Sequence, residues 1–356
     1  MNLITLIIKS LINRNMKNTF SRRKFVCTSA IAGAGLAFAN SAFSANTNSN
    51  AEEGKRVGII GLDTSHCIEF AKALNNPQAG PEFAGYKLVA AYPTAGSPDI
   101  PDSINRVAGF TEQIKKQGVE IVGSIDELLK KVDVVLLETL DGRKHMEQAL
   151  PVIKAGKRMF IDKPVSASLK DVITIFDTAK KHNVPVFSSS SLRYMNTAQE
   201  VVQGKMGKVL GADTFSPATL EKSHADLFWY GIHGVEILFT VMGKGCKSVV
   251  RVHTEGTDLA VGTWEDGRIG TFRGTRTGKH DYGGTVFGEK GELYLGTFGG
   301  YDTLLVKIIE FFKTGIPAVD PSETIELYAF MEAADESKRK GGAPVDLEKV
   351  LQKARK

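Results

Sequence analysis

The chain has 356 residues, with 45 Lys and Arg against 40 Asp and Glu, a formal charge of +5 that by itself would suggest a nucleic-acid partner. Six of those cations (Lys9, Arg14, Lys17, Arg22, Arg23 and Lys24) and none of the acids precede residue 46, so the remainder carries −1 and nucleic acid is excluded as the expected partner. The apolar stretches at residues 3–8 and 25–39 are too short to cross a bilayer, which takes about 20 apolar residues, so no membrane is expected for the mature form.

In chain order, Ser-Arg22-Arg23-Lys-Phe followed by the uncharged, Ala- and Gly-rich stretch 25–39 reads as a twin-arginine (Tat) export signal over residues 1–45. Such a signal sends folded cargo to the Tat translocon and predicts a periplasmic protein, cleaved between Ala42 and Ala45, with residues 46–54 as a polar linker. Met16-Lys17 would open a more ordinary signal than Met1 does. Cys27 falls inside the signal, and the two remaining cysteines, Cys67 and Cys246, form neither a disulfide framework nor a metal motif.

Arg56 to Gly61 is a short apolar run ending in Gly, and the helical pattern of Ile68, Phe70, Ala71 and Leu74 follows it, which predicts strand, tight turn and helix. Strands at 86–92, 120–122, 133–137, 158–162 and 185–188 then alternate with helices at 103–116, 124–131, 143–155 and 169–182. That rhythm specifies an α/β, doubly wound parallel sheet over residues 55–188. After Ser188 the pattern changes. A helix at 196–203 leads to strands at 209–215, 248–254, 259–264, 269–273, 283–288 and 292–295, most joined by turns such as Glu265-Asp266-Gly267. These predict a mostly antiparallel open sheet in an α+β domain over 189–356, with helices at 232–242, 302–313 and 321–338.

A glycine-rich turn after the first strand would let backbone amides approach a pyrophosphate. The order Gly-x-Gly-x-x-Gly begins at Gly61, but Asp63 and His66 stand at its second and third glycine positions. A carboxylate beside a diphosphate is repulsive, while Asp63, Thr64 and Ser65 would each serve as a helix N-cap without any ligand. Tyr92-Pro93-Thr94 ends the second strand with neither an acid for a ribose diol nor a cation for a 2′-phosphate, so NAD and NADP are not distinguished. Asp63, His66 and His145 have no metal-ligand spacing, and no metal is expected.

Further along, Glu138-Thr-Leu-Asp-Gly-Arg-Lys-His145, Ala149, Ala155-Gly156-Lys157, Asp162-Lys163-Pro164, Arg193-Tyr194 and Gly231-Ile-His233 occur in an order that resembles the Gfo/Idh/MocA oxidoreductases. The resemblance spans residues 55–345 and implies a Rossmann-like first domain, NAD or NADP as cofactor, a small carbohydrate substrate and a homo-oligomer. It implies that Lys163, which matches the lysine of a Glu-Lys-Pro motif with Asp162 in place of the usual Glu, contacts substrate and nicotinamide. His233 matches the histidine of Asp-x-x-x-His, but Trp229 stands where the Asp belongs.

Oxidising a secondary alcohol requires a base for the hydroxyl proton and a cation for the developing alkoxide. His233 suits the base, Lys163 the cation, and Glu236, one helical turn on, is placed to orient the imidazole. Gly61, Asp63, Thr64, Ser65, His66, Glu138, His145, Asp162 and Lys163 are expected at the cofactor. Arg193, Tyr194, Trp229 and Tyr230 are expected at the substrate, with Trp229 as a platform for a sugar face. The expectation is an exported oxidoreductase for a sugar, cyclitol or glycoside hydroxyl, with its nucleotide held and recycled in place. Its rivals are a glycosidase working by transient oxidation and elimination, and a carbohydrate-binding protein that has lost nucleotide binding.

Overall fold

The computed structural model describes residues 52–356; the export signal expected at 1–45 lies outside them. The first half alternates as β1 (Arg56–Ile60), α1 (Ser65–Asn75), β2 (Lys87–Tyr92), α2 (Pro101–Lys116), β3 (Glu120–Ile121), α3 (Ile125–Leu129), β4 (Val134–Leu137), α4 (His145–Lys154), β5 (Met159–Ile161), α5 (Leu169–Lys181) and β6 (Val186–Phe187). All six strands pair in parallel, in the order β3-β2-β1-β4-β5-β6. β4 is buried at every position because helices cover both faces of the sheet. Ser124 and Ser168 begin α3 and α5 by accepting from the N–H groups of Glu127 and Asp171, which satisfies amides that have no partner within their helix. Strand order reverses between β1 and β4, and a crevice opens beyond the carboxyl ends of the strands there.

The chain continues through α6 (Asn196–Val202), β7 (Val209–Pro217), a short α7 (Asp226–Trp229) and α8 (Ile232–Met242). Next come β8 (Cys246–His253), β9 (Thr257–Trp264), β10 (Ile269–Thr275), β11 (Gly283–Gly288) and β12 (Gly291–Leu295). The chain closes with α9 (Asp302–Thr314), α10 (Pro321–Arg339), β13 (Val345–Asp346) and α11 (Leu347–Ala354). The second sheet runs β12-β11-β7-β10-β9-β8-β13 and is antiparallel apart from the β7–β10 pair, whose strands are not consecutive. The short α7, β13 and α11 lie outside the elements expected from sequence; α7 and β13 are too brief to show a period, whereas α11 does carry one in Leu347, Val350, Leu351 and Ala354.

All eleven residues of α8 are buried, as an almost wholly apolar helix requires. It lies on the second sheet, where Thr214 Oγ1 donates to the carbonyl of Gly234 at 3.0 Å and the Phe272 ring fills the space a larger residue at 234 would need. Two later helices cross back to the first sheet. Leu304, Leu305, Ile308 and Phe311 of α9 join Val57, Ile59, Phe70 and Phe187 in one core, with Phe311 edge-on to Phe187 at 4.8 Å. Tyr328 Oη of α10 accepts from the Val165 N–H at 2.6 Å. An amphipathic face looks the same whichever sheet it covers, so the sequence alone placed both helices wholly in the second domain.

The segment leading into α8 is anchored from behind. The buried Arg251 guanidinium bonds Asp258, Asp335 and, at 3.0 Å, Asp226 at the start of α7, while Lys338 holds Asp226 at 2.7 Å. Replacing Gly234 by Ala should force Phe272 aside and cost about 1–3 kcal/mol. Urea unfolding measures this, and an unchanged midpoint would contradict the packing.

Candidate functional site

A cleft of about 330 Å³ lies where the carboxyl ends of β1, β4 and β5 meet the N-terminal turn of α8. Lys163 enters it just beyond β5, followed by a cis bond to Pro164, and His233 enters from the first turn of α8. Two residues 70 positions apart in sequence, presented by different sheets, therefore face one space. Burial first, and then the neighbouring Lys163 and His66, hold the His233 pKa well below 6.5, so the imidazole is neutral. Its Nδ1 lies 2.9 Å from Ser190 Oγ, which also accepts the Leu192 N–H at 3.2 Å. In the tautomer with the proton on Nδ1, His233 donates to Ser190 and keeps the Nε2 lone pair free, the form a base requires.

Glu236 does not orient His233. Its carboxylate accepts from Arg193 Nε at 2.6 Å and from Ser189 Oγ at 3.1 Å, because Arg193 delivers a full charge where the imidazole offers a neutral ring. The same guanidinium reaches Glu323 at 2.6 Å, making Arg193 a buried tie among the Ser188–Ser191 segment, α8 and α10. Tyr194 is likewise buried, with its hydroxyl pushed up to about 12 by desolvation. Neither Arg193 nor Tyr194 lines the cleft, so both are corrected from substrate contacts to scaffold. Trp229 and Tyr230 do line it. Trp229 packs 4.8 Å from the His224 ring, and the Tyr230 hydroxyl lies 3.0 Å from that of Tyr282. Tyr282, Tyr301 and Ser190 were missed in the sequence. The first two sit in loops without periodic signal, and Ser190 lay hidden in a run of four serines.

Gly61 has φ +91°, and a side chain there would overlap the Thr139 backbone, so the glycine lets the turn press against the chain leaving β4. Asp63 faces inward. It is fully buried, accepts the Leu140 N–H at 2.9 Å and the Ser103 hydroxyl at 2.5 Å, and takes no part in the cleft wall. The expected repulsion of a diphosphate therefore does not arise at the cleft surface. Thr64 is the N-cap residue of α1 without making a side-chain cap bond, and its Oγ1 is buried without a partner, as is Thr139 Oγ1 across the switch point. Thr64 and Ser65 line the cleft at the positive end of α1. On the other side of Thr139 and Leu140 a second cavity of about 360 Å³ is bounded by Tyr92, Thr94, Gly96, Ile125 and Gln148. Two cavities flanking a helix N-terminus, with two orphaned hydroxyls between them, fit the two ends and the pyrophosphate of a dinucleotide.

His145 is a buried lock rather than a cofactor contact. Nε2 lies 2.7 Å from the Thr139 carbonyl and Nδ1 3.2 Å from that of Val165, tying together the segments after β4 and β5. Desolvation lowers its pKa, and a neutral ring donates only one of these bonds. Asp63 and His145 are thus each satisfied apart from His66, which instead meets Glu138 and Asp162. His66 Nδ1 lies 2.9 Å from Asp162 Oδ2 and 3.8 Å from Glu138 Oε2. Both carboxylates are fully buried behind the cleft wall, so Glu138 and Asp162 do not face it directly, whereas His66 does. Burial and the charge on Asp162 raise the Glu138 pKa well above its usual range. Burial also acts upward on Asp162, but His66 and Lys163 outweigh it and bring Asp162 to about 2.

A family model described as an oxidoreductase family with an NAD-binding Rossmann fold matches residues 28–190. An uncharacterised oxidoreductase of Streptococcus pneumoniae serotype 4 is 28% identical over 120 residues, so the match spans 32% of this chain and 31% of that protein. Among solved structures, a probable dehydrogenase from Thermotoga maritima superimposes with a TM-score of 0.66 at 21% identity, covering 83% of this chain and 99% of that one. Scyllo-inositol dehydrogenase of Lactobacillus casei with bound NAD(H) and scyllo-inositol gives 0.64 at 18%, covering 82% and 99%. Myo-inositol 2-dehydrogenase of Lactobacillus plantarum gives 0.65 at 19%, covering 82% and 98%. At these identities the structures establish a shared fold.

Asp63→Ala should leave the Leu140 N–H and the Ser103 hydroxyl without their acceptor and destabilise the protein by about 1–3 kcal/mol. Chemical denaturation checks it; an unshifted midpoint would mean the tie contributes nothing.

Proposed function

The chain belongs to the Gfo/Idh/MocA oxidoreductases, and from that premise we propose that it oxidises a secondary hydroxyl of a sugar, cyclitol or glycoside, or reduces the matching ketone, with NAD(H). The observation that carries this reading is the convergence of Lys163 and a neutral His233 on one cleft beside the positive end of α1. Thr64 and Ser65, with the amides opening α1, would hold the pyrophosphate, and the cavity by Tyr92 and Thr94 would take the adenosine end. When bound, the nicotinamide supplies the hydride acceptor.

The rest of the chemistry belongs to the chain's own side chains. His233 Nε2 takes the substrate's hydroxyl proton, and the Nδ1–H bond to Ser190 keeps the ring in that tautomer. The Lys163 ammonium stabilises the oxygen as negative charge develops on it. Trp229, Tyr230 and Tyr282 present aromatic surface and hydroxyls to a ring with one apolar face and several hydroxyls. The inositol dehydrogenases that share the fold support a cyclitol or sugar as the substrate class.

Export before turnover forms part of the same reading. Arg22-Arg23 would send the folded chain, nucleotide already in place, across the membrane. Among the described residues no helix is long and apolar enough to cross a membrane. Changing both arginines to lysine should leave the protein in the cytoplasmic fraction. Undiminished periplasmic recovery would contradict the export route.

Lys163→Ala should lower kcat by on the order of 10²–10³-fold, and His233→Ala by about 10²–10⁴-fold, both with thermal unfolding close to that of the parent. A panel of inositols and hexoses followed by nicotinamide absorbance reads this, and full turnover in Lys163→Ala would overturn the assignment. Because His233 is neutral well below the ordinary value of 6.5, the acid limb of kcat/KM for oxidation should fall below pH 6.5. A limb at or above that pH would show that His233 is not the base.

A further inference from the structure

The parallel sheet brings together three donors that the sequence scatters. Leu137 and Ile161 are register partners at the ends of β4 and β5, so the residues that follow them, Glu138 and Asp162, emerge side by side. The Glu138 N–H still bonds the carbonyl of Ile60 at 2.8 Å and the Asp162 N–H that of Leu137 at 2.8 Å, which fixes both side chains at the mouth of the switch point. His66 comes down from the first turn of α1, its ring held 4.5 Å from that of Tyr301 and 5.9 Å from that of Phe70. His66 Nδ1 and one oxygen from each carboxylate all lie within 4.8 Å of one another.

What these groups lack is as informative as where they are. Both oxygens of Glu138, both of Asp162 and His66 Nδ1 are buried with no hydrogen-bond partner among the described residues. The 2.9 Å approach of His66 Nδ1 to Asp162 Oδ2 is an ion-pair contact that helps lower the Asp162 pKa. Two wholly buried carboxylates side by side are unfavourable as a pair of anions, a cost that a proton on Glu138 or a cation between them relieves. The Lys163 charge acts on both carboxylates, and its backbone N–H approaches Asp162, while Glu138 gains charge alone.

We propose that His66, Glu138 and Asp162 form a binding site for one divalent first-row transition-metal ion at the floor of the cleft. One imidazole and two carboxylates suit Mn²⁺, Fe²⁺, Co²⁺ or Zn²⁺. The imidazole argues against Ca²⁺ and Mg²⁺, and the absence of thiolate argues against softer ions. With metal–nitrogen and metal–oxygen bonds of about 2.0–2.2 Å, tetrahedral ligands of one ion lie about 3.3–3.6 Å apart, so donors as far apart as 4.8 Å close in by about 1 Å on binding. Three protein ligands leave at least one coordination position of such an ion for water. The site stands on these three side chains alone and does not depend on the redox reading.

The test is to strip the intact protein with a chelator, remove the chelator, and titrate with Co²⁺ and separately with Zn²⁺. Ligand-field absorption follows the first and calorimetry both. The expected result is one equivalent of each ion, with Co²⁺ affinity at least about tenfold weaker in Glu138→Gln and in His66→Ala. Glu138→Gln keeps the shape of the side chain, so it decides the matter even if His66→Ala fails to fold. No stoichiometric binding by the parent protein, or equal affinity in Glu138→Gln, would overturn the site. NAD binding measured on the same samples separates the two ideas: its loss with metal binding intact counts against the redox reading alone.

Discussion

The burial of α8 governs the chemistry of the cleft. An eleven-residue helix with no exposed position must have every polar group paired from within, and its three polar side chains show how. Glu236 takes Arg193 and Ser189, Thr240 Oγ1 donates to the carbonyl of Glu236 at 2.6 Å, and His233 is left with Ser190 on one nitrogen and the cleft on the other. Desolvation keeps that imidazole neutral, and the Gly234–Phe272 contact sets how closely the helix lies on its sheet. An imidazole kept neutral at neutral pH is thus a consequence of packing.

The opposite wall is reworked more deeply. In a glycine-rich nucleotide turn the second and third glycines leave room, but here both positions carry side chains that reach across the switch point between β1 and β4. Asp63 joins the Leu140 amide to Ser103 of α2, and Ser103 Oγ in turn accepts the Ser97 N–H at 2.9 Å while Ser97 Oγ donates to Asp141 at 2.5 Å. Asp141 sits near a pKa of 2 because Arg143 and Ser97 outweigh its burial. The polar chain stiffens the loops around the crevice yet leaves Thr64 and Ser65 to line it. His66, at the third position, trades close helix packing for a place beside Glu138 and Asp162.

Much of this was legible because it is local. Apolar runs alternating with helical periods gave both sheets, and residues 232–242 were read as the helix that the structure shows. Lys163 at a strand end and His233 at a helix start were found by ordered motifs. What stayed hidden was the direction in which side chains point. Asp63 could be read as a cap or an obstacle and proved to be a tie, while Glu236 had an imidazole one turn away and a guanidinium nearer in space. The His66, Glu138 and Asp162 cluster has no linear spacing to reveal it, although a strand order of β1-β4-β5 places the residues following those strands together.

Whether the crevice holds a dinucleotide is the point on which the redox account turns, and native mass spectrometry of the purified protein with added NAD measures it most directly. The account predicts one nucleotide mass per chain, retained in Lys163→Ala because the pyrophosphate would rest on the N-terminus of α1 and not on that lysine. A spectrum of bare protein at saturating NAD, with the fold intact, would contradict it.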